Sequence, residues 1–539
     1  MTNSGRLLAV ATIAGWLWGF PSPAKSYDLQ THDALSREAF SQAGVVSRLP
    51  SYGLDPTKKI RGLVFSLRQG PRLPVEWIAW GARDEDTPSI RVLTHFYDPH
   101  FDRGLTIGEL SWTRAPDWAL EDRQADLQGY SYRDAREAFY GGLTLVGPGS
   151  RERELGHAFY SLGHVIHLIQ DLTVPEHARN DAHLTDSPDR SFLEEYLNKN
   201  IAKFTPTSQA LPPAGMPVVK QARELWVKAT GTGIAQFTNA NFVSPDTNFR
   251  EARTGATGGE YPSPVLDLTR VYSGPLGACE DTTQPNPPAP LFFFKNDMPD
   301  PVPPDPAKPT LTNPRMTTYS VFDELLKRRR KPLIFSLNCF TVDAAARILL
   351  PRAVSYSASL LEYFFRGRPT AIFGDSTFRV GNRTSDARRA EVMDGRFELY
   401  RDDGGGQRQL LATWTLRLDP DRASGPLAVP LLPDGDPSRC ILVFRGLLGD
   451  ETDGVAGQQL DRCPTSATLA GPYVEVGLPA AGPGVHSPGC PDGFWLYLVQ
   501  LCCNPGSDPG YLWYCAPSPQ GAVIACENST PWWYVCSLA

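Results

Sequence analysis

The stretch "HVIHLIQDLTVPEHARNDAH", residues 164–183, contains four of the nine histidines in the chain, together with two aspartates and a glutamate. His167 and Asp171 are four residues apart, so on a helix both side chains lie on one face, about one turn apart. Pro175 ends such a helix, and His177 follows on the exit turn. A lone histidine in a core usually needs only a hydrogen-bond partner. The crowding of so many ligand-type side chains predicts a metal site.

The other histidines are also concentrated in the first part of the chain. Eight of the nine come before residue 184. His157 and His164 fall within about 80° of His167 and Asp171 around the same helix. Helical periodicity alone therefore does not choose which of these side chains bind a metal.

The length and charge of the chain limit the classes of protein to consider. A chain of 539 residues is too long for one ordinary core, so we expect at least two domains. Hydrophobic residues make up 41% and charged residues 21%, as in globular proteins. The net charge of −7 argues against a nucleic acid held by bulk charge. We therefore predict no stable nucleic-acid partner.

The first 26 residues have the features of a secretory signal. Residues 7–20 form an apolar run, which is short for a membrane span. Ala24 and Ser26 are small residues at the −3 and −1 positions of a cleavage site. Cleavage after Ser26 would make Tyr27 the new N-terminus and predicts a secreted or periplasmic protein. An uncleaved membrane anchor is the alternative.

The cysteines predict disulfides rather than a metal site. There are ten, an even number, and the first is Cys279. In a secreted chain such a set indicates a disulfide framework. Metal binding is then left to histidines and carboxylates.

Apolar spacing predicts a mostly helical region over residues 27–270. Thr31 is the expected N-cap of its first helix, and residues 222–242 are expected to form another helix. Residues 281–315 are rich in proline and predict a long extended loop rather than a regular element. A helix is expected again over residues 343–367.

After residue 367 the pattern changes to short alternating runs between glycine, aspartate and proline, which predicts an all-β domain over residues 368–480. Residues 481–539 contain most of the cysteines and many aromatic side chains, and predict a small disulfide-stapled module. These aromatic side chains would allow peripheral contact with a membrane surface. The favoured interpretation is that these side chains are buried in the core of the module itself, because so short a segment buries little apolar surface.

Three motifs resemble one known family. Residues 158–181, "AFYSLGHVIHLIQDLTVPEHARND", resemble the signature of the zinc-dependent phospholipase C and single-strand-nuclease superfamily. Residues 81–99, "GARDEDTPSIRVLTHFYDP", are similar to a motif of the bacterial phospholipases C, and residues 27–33, "YDLQTHD", resemble the family's N-terminus. Residues 345–365 resemble its closing helix. The resemblance covers about residues 27–367 and implies a mainly α, phospholipase C-like domain there.

The resemblance implies up to three zinc ions. The first and third zinc sites would share Asp171 as a bridging ligand. The first site would consist of Asp86, His95, His167 and Asp171. The third would consist of Tyr27, His32 and Asp171. Tyr27 departs from the tryptophan that is usual in the family. Asp86 is preferred over Asp84 and Glu85 because the acid lies five residues after the glycine in bacterial phospholipases.

The second zinc site is where the chain departs from the family. His177 would be joined by a histidine and a carboxylate that the family carries four residues apart on one helix. Here the position four residues before Glu194 is Arg190, so the pattern breaks. His183, on a loop, is the nearest substitute and completes the predicted set. The remaining histidines of this region are assigned to supporting or structural positions: His100, His157 and His164.

The same resemblance implies hydrolysis of a phosphodiester by metal-activated water, with Asp86 as a ligand and a candidate general base. The upstream motif favours a phospholipid substrate. A single-stranded nucleic acid, cleaved by the same chemistry, is the alternative. A hypothesis from a different class is a secreted binding protein in which the metal is only a structural staple.

Overall fold

The computed structural model describes residues 29–64, 67–121, 128–183, 191–201, 215–248, 261, 266–273, 291–295, 297–303, 307–312, 314–320, 322–386, 388–471, 474–476, 495–502, 510–516 and 534–535. The predicted signal segment, Tyr27 and Arg190 lie outside these residues. So does most of the Cys-rich module. Among the described helices, none has the length and apolar character needed to cross a bilayer.

The chain divides into two compact units, called here the helical unit and the β unit. An N-terminal helical part precedes C-terminal β-sheets, in the order that the sequence predicts. The helical unit comprises Met1–Val46, Pro56–Leu145 and Gly149–Arg366. The β unit comprises Ser47–Asp55, Val146–Pro148 and Gly367–Ala539.

Helices dominate the first part of the chain and short strands fill the connections between them. The helices are α1 (Leu29–Gln42), α2 (Pro74–Asp84), α3 (Ala115–Leu120), α4 (Tyr132–Thr144), α5 (Pro148–Asp171), α6 (Pro175–Ala178), α7 (Phe192–Asn200), α8 (Ile234–Asn241), α9 (Asp323–Arg328) and α10 (Cys339–Phe364). The strands are β1 (Ile60–Val64), β2 (Leu67–Arg72), β3 (Thr106–Ile107), β4 (Leu110–Ser111), β5 (Leu266–Ser273), β6 (Leu291–Lys295), β7 (Asp297–Pro299), β8 (Thr310–Thr312) and β9 (Arg315–Thr318). Short 3₁₀ helices lie at Val45–Tyr52, Ser89–Thr94 and Ala222–Leu225.

Helix α5 is the central element of the helical unit, and its last two turns are completely buried. Two glycines bring it into backbone contact with α2. A β-carbon added at Gly81 would overlap the carbonyl of Tyr160, and one added at Gly163 would overlap the carbonyl of Ile78. This close crossing is possible only without side chains at both glycines. It places the acidic end of α2 beside the histidines of α5.

Two predictions for the helical region are wrong. Thr31 is not a cap, because it is buried inside α1, which begins two residues earlier. Residues 222–242 do not form one helix; they form the 3₁₀ helix Ala222–Leu225 and then α8. Between them Gly231 has a φ of +76°, a left-handed conformation that interrupts an α-helix.

The proline-rich segment also differs from its prediction, because it contains the strands β6, β7 and β8. β6, "LFFFK", has no proline, so its backbone N–H groups are available to pair with β9. The helix expected from residue 343 begins earlier, at Cys339. There the Asn338 side chain caps α10 by accepting hydrogen bonds from the N–H groups of Phe340 and Thr341.

Two antiparallel sheets of the β unit share one core. Their strands are β10 (Pro369–Gly374), β11 (Thr377–Asn382), β12 (Met393–Asp402), β13 (Arg408–Leu418), β14 (Arg439–Leu448), β15 (Glu451–Leu460) and β16 (Val474–Val476). The sheet orders are β13-β12-β14-β15 and β11-β10-β16. Aromatic side chains from both sheets, such as Phe373 and Phe397, are fully buried in this core.

The described residues support the cysteine prediction, because a disulfide links Cys440 to Cys463. From the Cys-rich module the structure describes β17 (Trp495–Cys502), β18 (Gly510–Ala516) and β19 (Tyr534–Val535), which form a sheet in the order β18-β17-β19. The proposed membrane contact of its aromatic side chains stays a prediction.

Candidate metal centre

Buried histidines and carboxylates of the helical unit form three groups that could each hold a metal ion. Within each group the candidate ligand atoms lie within 4.8 Å of one another. The first group is Asp86, His95 and His167; the second group is His177, His183 and Glu194; the third group is His32, His167 and Asp171. Ligands bound at about 2.0–2.2 Å from one zinc ion in a tetrahedral site lie about 3.3–3.6 Å apart.

The first group joins the ends of two elements to α5. Asp86 follows α2, and His95 follows the 3₁₀ helix that ends at Thr94. The Asp86 Oδ1 atom lies 3.5 Å from His95 Nδ1 and 3.6 Å from His167 Nε2. Those two nitrogen atoms are 3.3 Å apart. Three lone-pair donors from separate segments thus converge on one point.

Asp171 connects the first and third groups. Its Oδ2 atom lies 2.8 Å from His95 Nδ1 and 3.1 Å from His167 Nε2. Its Oδ1 atom lies 3.4 Å from His32 Nε2. The two oxygens of one carboxylate therefore face different groups, which is the arrangement that a bridging ligand requires. The rings of His32 and His167 stack with their centroids 3.8 Å apart.

The second group forms although its sequence pattern departs from the family's. Glu194 Oε1 lies 3.2 Å from His177 Nε2, and Glu194 Oε2 lies 3.1 Å from His183 Nε2. His177 comes from α6, Glu194 from the first turn of α7, and His183 from the loop that follows α6. The structure therefore brings His183 to the position for which sequence reasoning needed a substitute ligand.

The three consecutive acids at the end of α2 point to three different partners. Asp84 accepts a hydrogen bond from the Tyr160 hydroxyl at 2.9 Å. Glu85 is fully buried; Arg91 donates to it at 2.5 Å and the Trp118 indole at 2.9 Å. Asp86 alone of the three belongs to a candidate metal group among the described residues. Successive residues at a helix end rotate by about 100°, which explains the separation.

Hydrogen bonds to the far side of the rings orient two of the ligands. His167 Nδ1 donates to the Ala82 carbonyl at 2.6 Å, so its Nε2 atom carries the lone pair that faces the first and third groups. His32 Nδ1 lies 2.6 Å from Gln170 Oε1, which directs its Nε2 atom towards Asp171. Sequence reasoning missed Gln170, although a polar residue beside Asp171 in an apolar helix was a usable signal.

Burial and mutual charge shift the ionisation of the first and third groups. Burial raises the pKa of Asp86 to about 6, even though His167 and His95 favour its charged form. Burial, reinforced by the charge of His167, lowers the pKa of His32 to about 3. Burial opposes the protonation of His95, but hydrogen bonds with Asp171 and Glu85 outweigh it and raise its pKa to about 10.

In the second group the charged pair dominates. Burial favours the neutral carboxyl of Glu194, but the charge of His183 outweighs burial and lowers the Glu194 pKa to about 2. Burial likewise opposes charge on His183, yet Glu194 raises its pKa to about 10. The second group therefore behaves as an ion pair, whereas at Asp86 burial outweighs the attraction of His167 and His95.

The chemistry of the donor set fits zinc. Both oxygens of Asp86 are buried and accept no hydrogen bond from the described residues. A buried carboxylate without donors is costly unless a cation or proton satisfies it. Neutral imidazoles and carboxylates are the ligands that zinc accepts in catalytic sites.

The histidines assigned to supporting positions lie outside the three groups. His164 bonds to Glu85 and stacks on Tyr130 with ring centroids 4.4 Å apart. His157 approaches the Gly129 carbonyl at 3.5 Å. The ring of His100 packs against a neighbouring phenylalanine on the same loop.

Comparison with known proteins adds little to this geometry. No family model matches the chain, and no curated protein matches it. Among solved structures, the chain is similar to one described as "Alpha Toxin from Clostridium Absonum", with 9% sequence identity and a TM-score of 0.26. That likeness covers 75% of this chain and 87% of the other. A score of this size does not establish a shared fold.

Proposed function

We propose that this chain is a zinc-dependent phosphodiesterase that hydrolyses phospholipids in the manner of a phospholipase C. The observation that carries the proposal is Asp171, on the buried end of α5, whose two oxygens face two different histidine groups. A metal ion with only a structural role needs one complete ligand set. Groups that share a carboxylate suit ions held close enough to act on one phosphate.

The ligands proposed for each ion are drawn from the three groups, with His167 assigned to the first ion and Asp171 shared by the first and third. Asp86, His95, His167 and Asp171 would hold the first ion, and His177, His183 and Glu194 the second. The third would be held by His32 and Asp171, together with the amino group of Tyr27 if the signal is cleaved after Ser26. The role of Tyr27 lies outside the described residues and stays a prediction.

When bound, zinc would lower the pKa of a coordinated water and neutralise the charge of the diester. The residues of the chain would orient the metal ligands. Asp86, which accepts no hydrogen bond from the described residues, is free to accept a proton from the attacking water. Ala82 and Gln170 hold the rings of His167 and His32 in fixed directions. His167 and His32 are completely buried and Asp86 is 7% exposed, which limits the competition of bulk water for them.

The phospholipid is preferred as substrate over a single-stranded nucleic acid. Affinity for nucleic acids rests on basic contacts, and the chain carries a net charge of −7. The upstream motif over residues 81–99 resembles that of bacterial phospholipases C. A single-strand nuclease activity remains the alternative for the same site, and a non-catalytic binding protein is the alternative from another class.

The experiment that tests this proposal compares two adjacent acids. Asp86→Asn should lower the hydrolysis of phosphatidylcholine by about 100-fold or more, since Asp86 would touch the reacting water. Asp84→Asn is the matched control, because Asp84 bonds to Tyr160 and belongs to no group. It should stay within about threefold of wild type, because the amide oxygen of asparagine can still accept the hydrogen bond from Tyr160.

Zinc content and circular dichroism are measured on the same samples. A wild-type chain that binds zinc but hydrolyses neither phosphatidylcholine nor single-stranded DNA would overturn the enzyme in favour of a structural metal. Hydrolysis of DNA alone would replace the substrate but keep the chemistry.

A further inference from the structure

A run of five consecutive basic residues, Lys327–Lys331, begins in the last turn of α9, continues beyond it and is exposed throughout. It lies in a chain whose net charge is −7. Among the described residues, Arg328 of the run forms an ion pair with Glu324 at 3.1 Å. Both side chains of that pair are largely exposed, so it contributes little. The run therefore presents a strong local positive charge on an acidic protein.

Large apolar side chains border this basic run. Phe322 is 60% exposed, Leu325 is 49% exposed and Ile334 is 42% exposed. Single exposed apolar residues need no explanation. Three within thirteen residues, flanking five cations, form a surface that is both basic and apolar. We call residues 322–334 the basic loop.

The buried carboxylate of Asp323 connects the two ends of the basic loop through hydrogen bonds. Asp323 accepts hydrogen bonds from the backbone N–H groups of Ser320 at 2.7 Å, Ile334 at 2.8 Å and Phe335 at 3.2 Å. Phe322 and Ile334 are therefore held next to the same carboxylate. A segment that is already ordered loses less entropy when it binds a surface.

We propose that the basic loop docks this chain on a bilayer surface that carries anionic phospholipid. Basic side chains near such a surface each contribute about a fivefold gain in affinity, and apolar side chains add to binding by entering the interface. A nucleic acid would meet the same charge but would leave Leu325 and Ile334 in water. The inference rests on the proposed function only in that a phospholipid substrate is found at such a surface.

The test measures binding without turnover. The Asp86→Asn chain is mixed with vesicles of phosphatidylcholine alone, or of phosphatidylcholine with phosphatidylserine, and the bound fraction is measured by co-sedimentation. We expect binding to the phosphatidylserine vesicles at 0.1 M salt, and weaker binding at 0.5 M salt because the charges are screened.

Two double variants with equal changes in charge identify the surface. Arg329→Glu with Lys331→Glu should weaken binding to anionic vesicles by about 25-fold or more, since two contributions of about fivefold are lost. Lys58→Glu with Lys59→Glu, which are also exposed cations of the helical unit, should change it by less than about threefold. Phe322→Ser with Leu325→Ser should weaken the binding that persists at high salt.

Each contrary outcome has its own meaning. Equal losses in both charge variants would mean that bulk charge, not the basic loop, holds the vesicles. Vesicle binding that survives the loop variant, with loss of single-stranded DNA binding, would assign the loop to nucleic acid. A soluble short-chain phosphodiester separates this inference from the proposed function. Its hydrolysis should be unaffected by the loop variant, and its absence in wild type would count against the enzyme but not against docking.

Discussion

The first and second groups contain similar residue types but are built in different ways. His167 of the first group lies on the completely buried end of α5, and the Ala82 carbonyl orients its ring. In the second group, His183 comes from a loop and its Nδ1 atom lies 3.2 Å from the carbonyl of Asp181, two residues earlier. One group is fixed by the crossing of two long helices, and the other by contacts close in sequence.

From this difference we infer that metal affinity depends on how rigidly the fold holds each ligand. A ligand on a rigid element, oriented from behind by a distant residue, is ready for the ion before it arrives. A ligand on a loop is ordered partly by the ion itself. We therefore expect the ions of α5 to be retained more tightly than the ion of the second group.

The largest effect should come from Asp171→Asn. The substitution keeps the shape of the side chain but removes the negative charge that faces both the first and third groups. Hydrolysis should fall on the order of 1,000-fold, because the charge stabilisation by bound metal is worth several kcal/mol. Elemental analysis should show the loss of up to two zinc ions, with the second group still loaded. Full zinc content in this variant would contradict the shared ligand.

A smaller effect should follow from His183→Ala, which changes only the second group. One zinc ion should be lost while the ions of α5 remain, and hydrolysis should fall by roughly 100-fold, since one of several charges at the phosphate is removed. His157→Ala is the matched control, as its imidazole belongs to no group. If the control loses as much zinc and activity, the second group has no specific role.

The sequence was most informative where the ligands lie on one regular element. A spacing of four residues on a helix places His167 and Asp171 on one face whatever the rest of the chain does. The choice among Asp84, Glu85 and Asp86 rested on resemblance alone. In the structure it depends on which way each side chain leaves the end of α2.

Contacts between distant segments could not be predicted from spacing. Gln170 bonds to His32 across 138 residues of chain, and Glu85 reaches His164 across 79. The strands in the proline-rich segment were missed for a related reason, because a short strand such as β6 depends on its partner β9 more than on its own composition. The helix over residues 222–242 was predicted wrongly because apolar spacing outweighed the effect of Gly231.

The smallest expected effect is a difference in how the stability of the metal-free protein depends on pH when Asp86 of the first group or Glu194 of the second group is substituted. The Asp86 pKa is raised to about 6 from its ordinary 3.8, so its stabilising contribution is present below pH 3.8 and is lost as pH rises through 6. The Glu194 pKa is lowered to about 2 from 4.5, so its contribution is present above pH 4.5 and is lost as pH falls through 2.

Between pH 4.5 and 7, Asp86→Asn should therefore gain stability relative to wild type as pH rises, on the order of 2 kcal/mol. Glu194→Gln should be less stable than wild type across that whole range. Urea unfolding of the metal-free proteins, followed by helical circular dichroism, measures both; the same pH dependence in the two variants would mean that the first and second groups do not differ in charge balance.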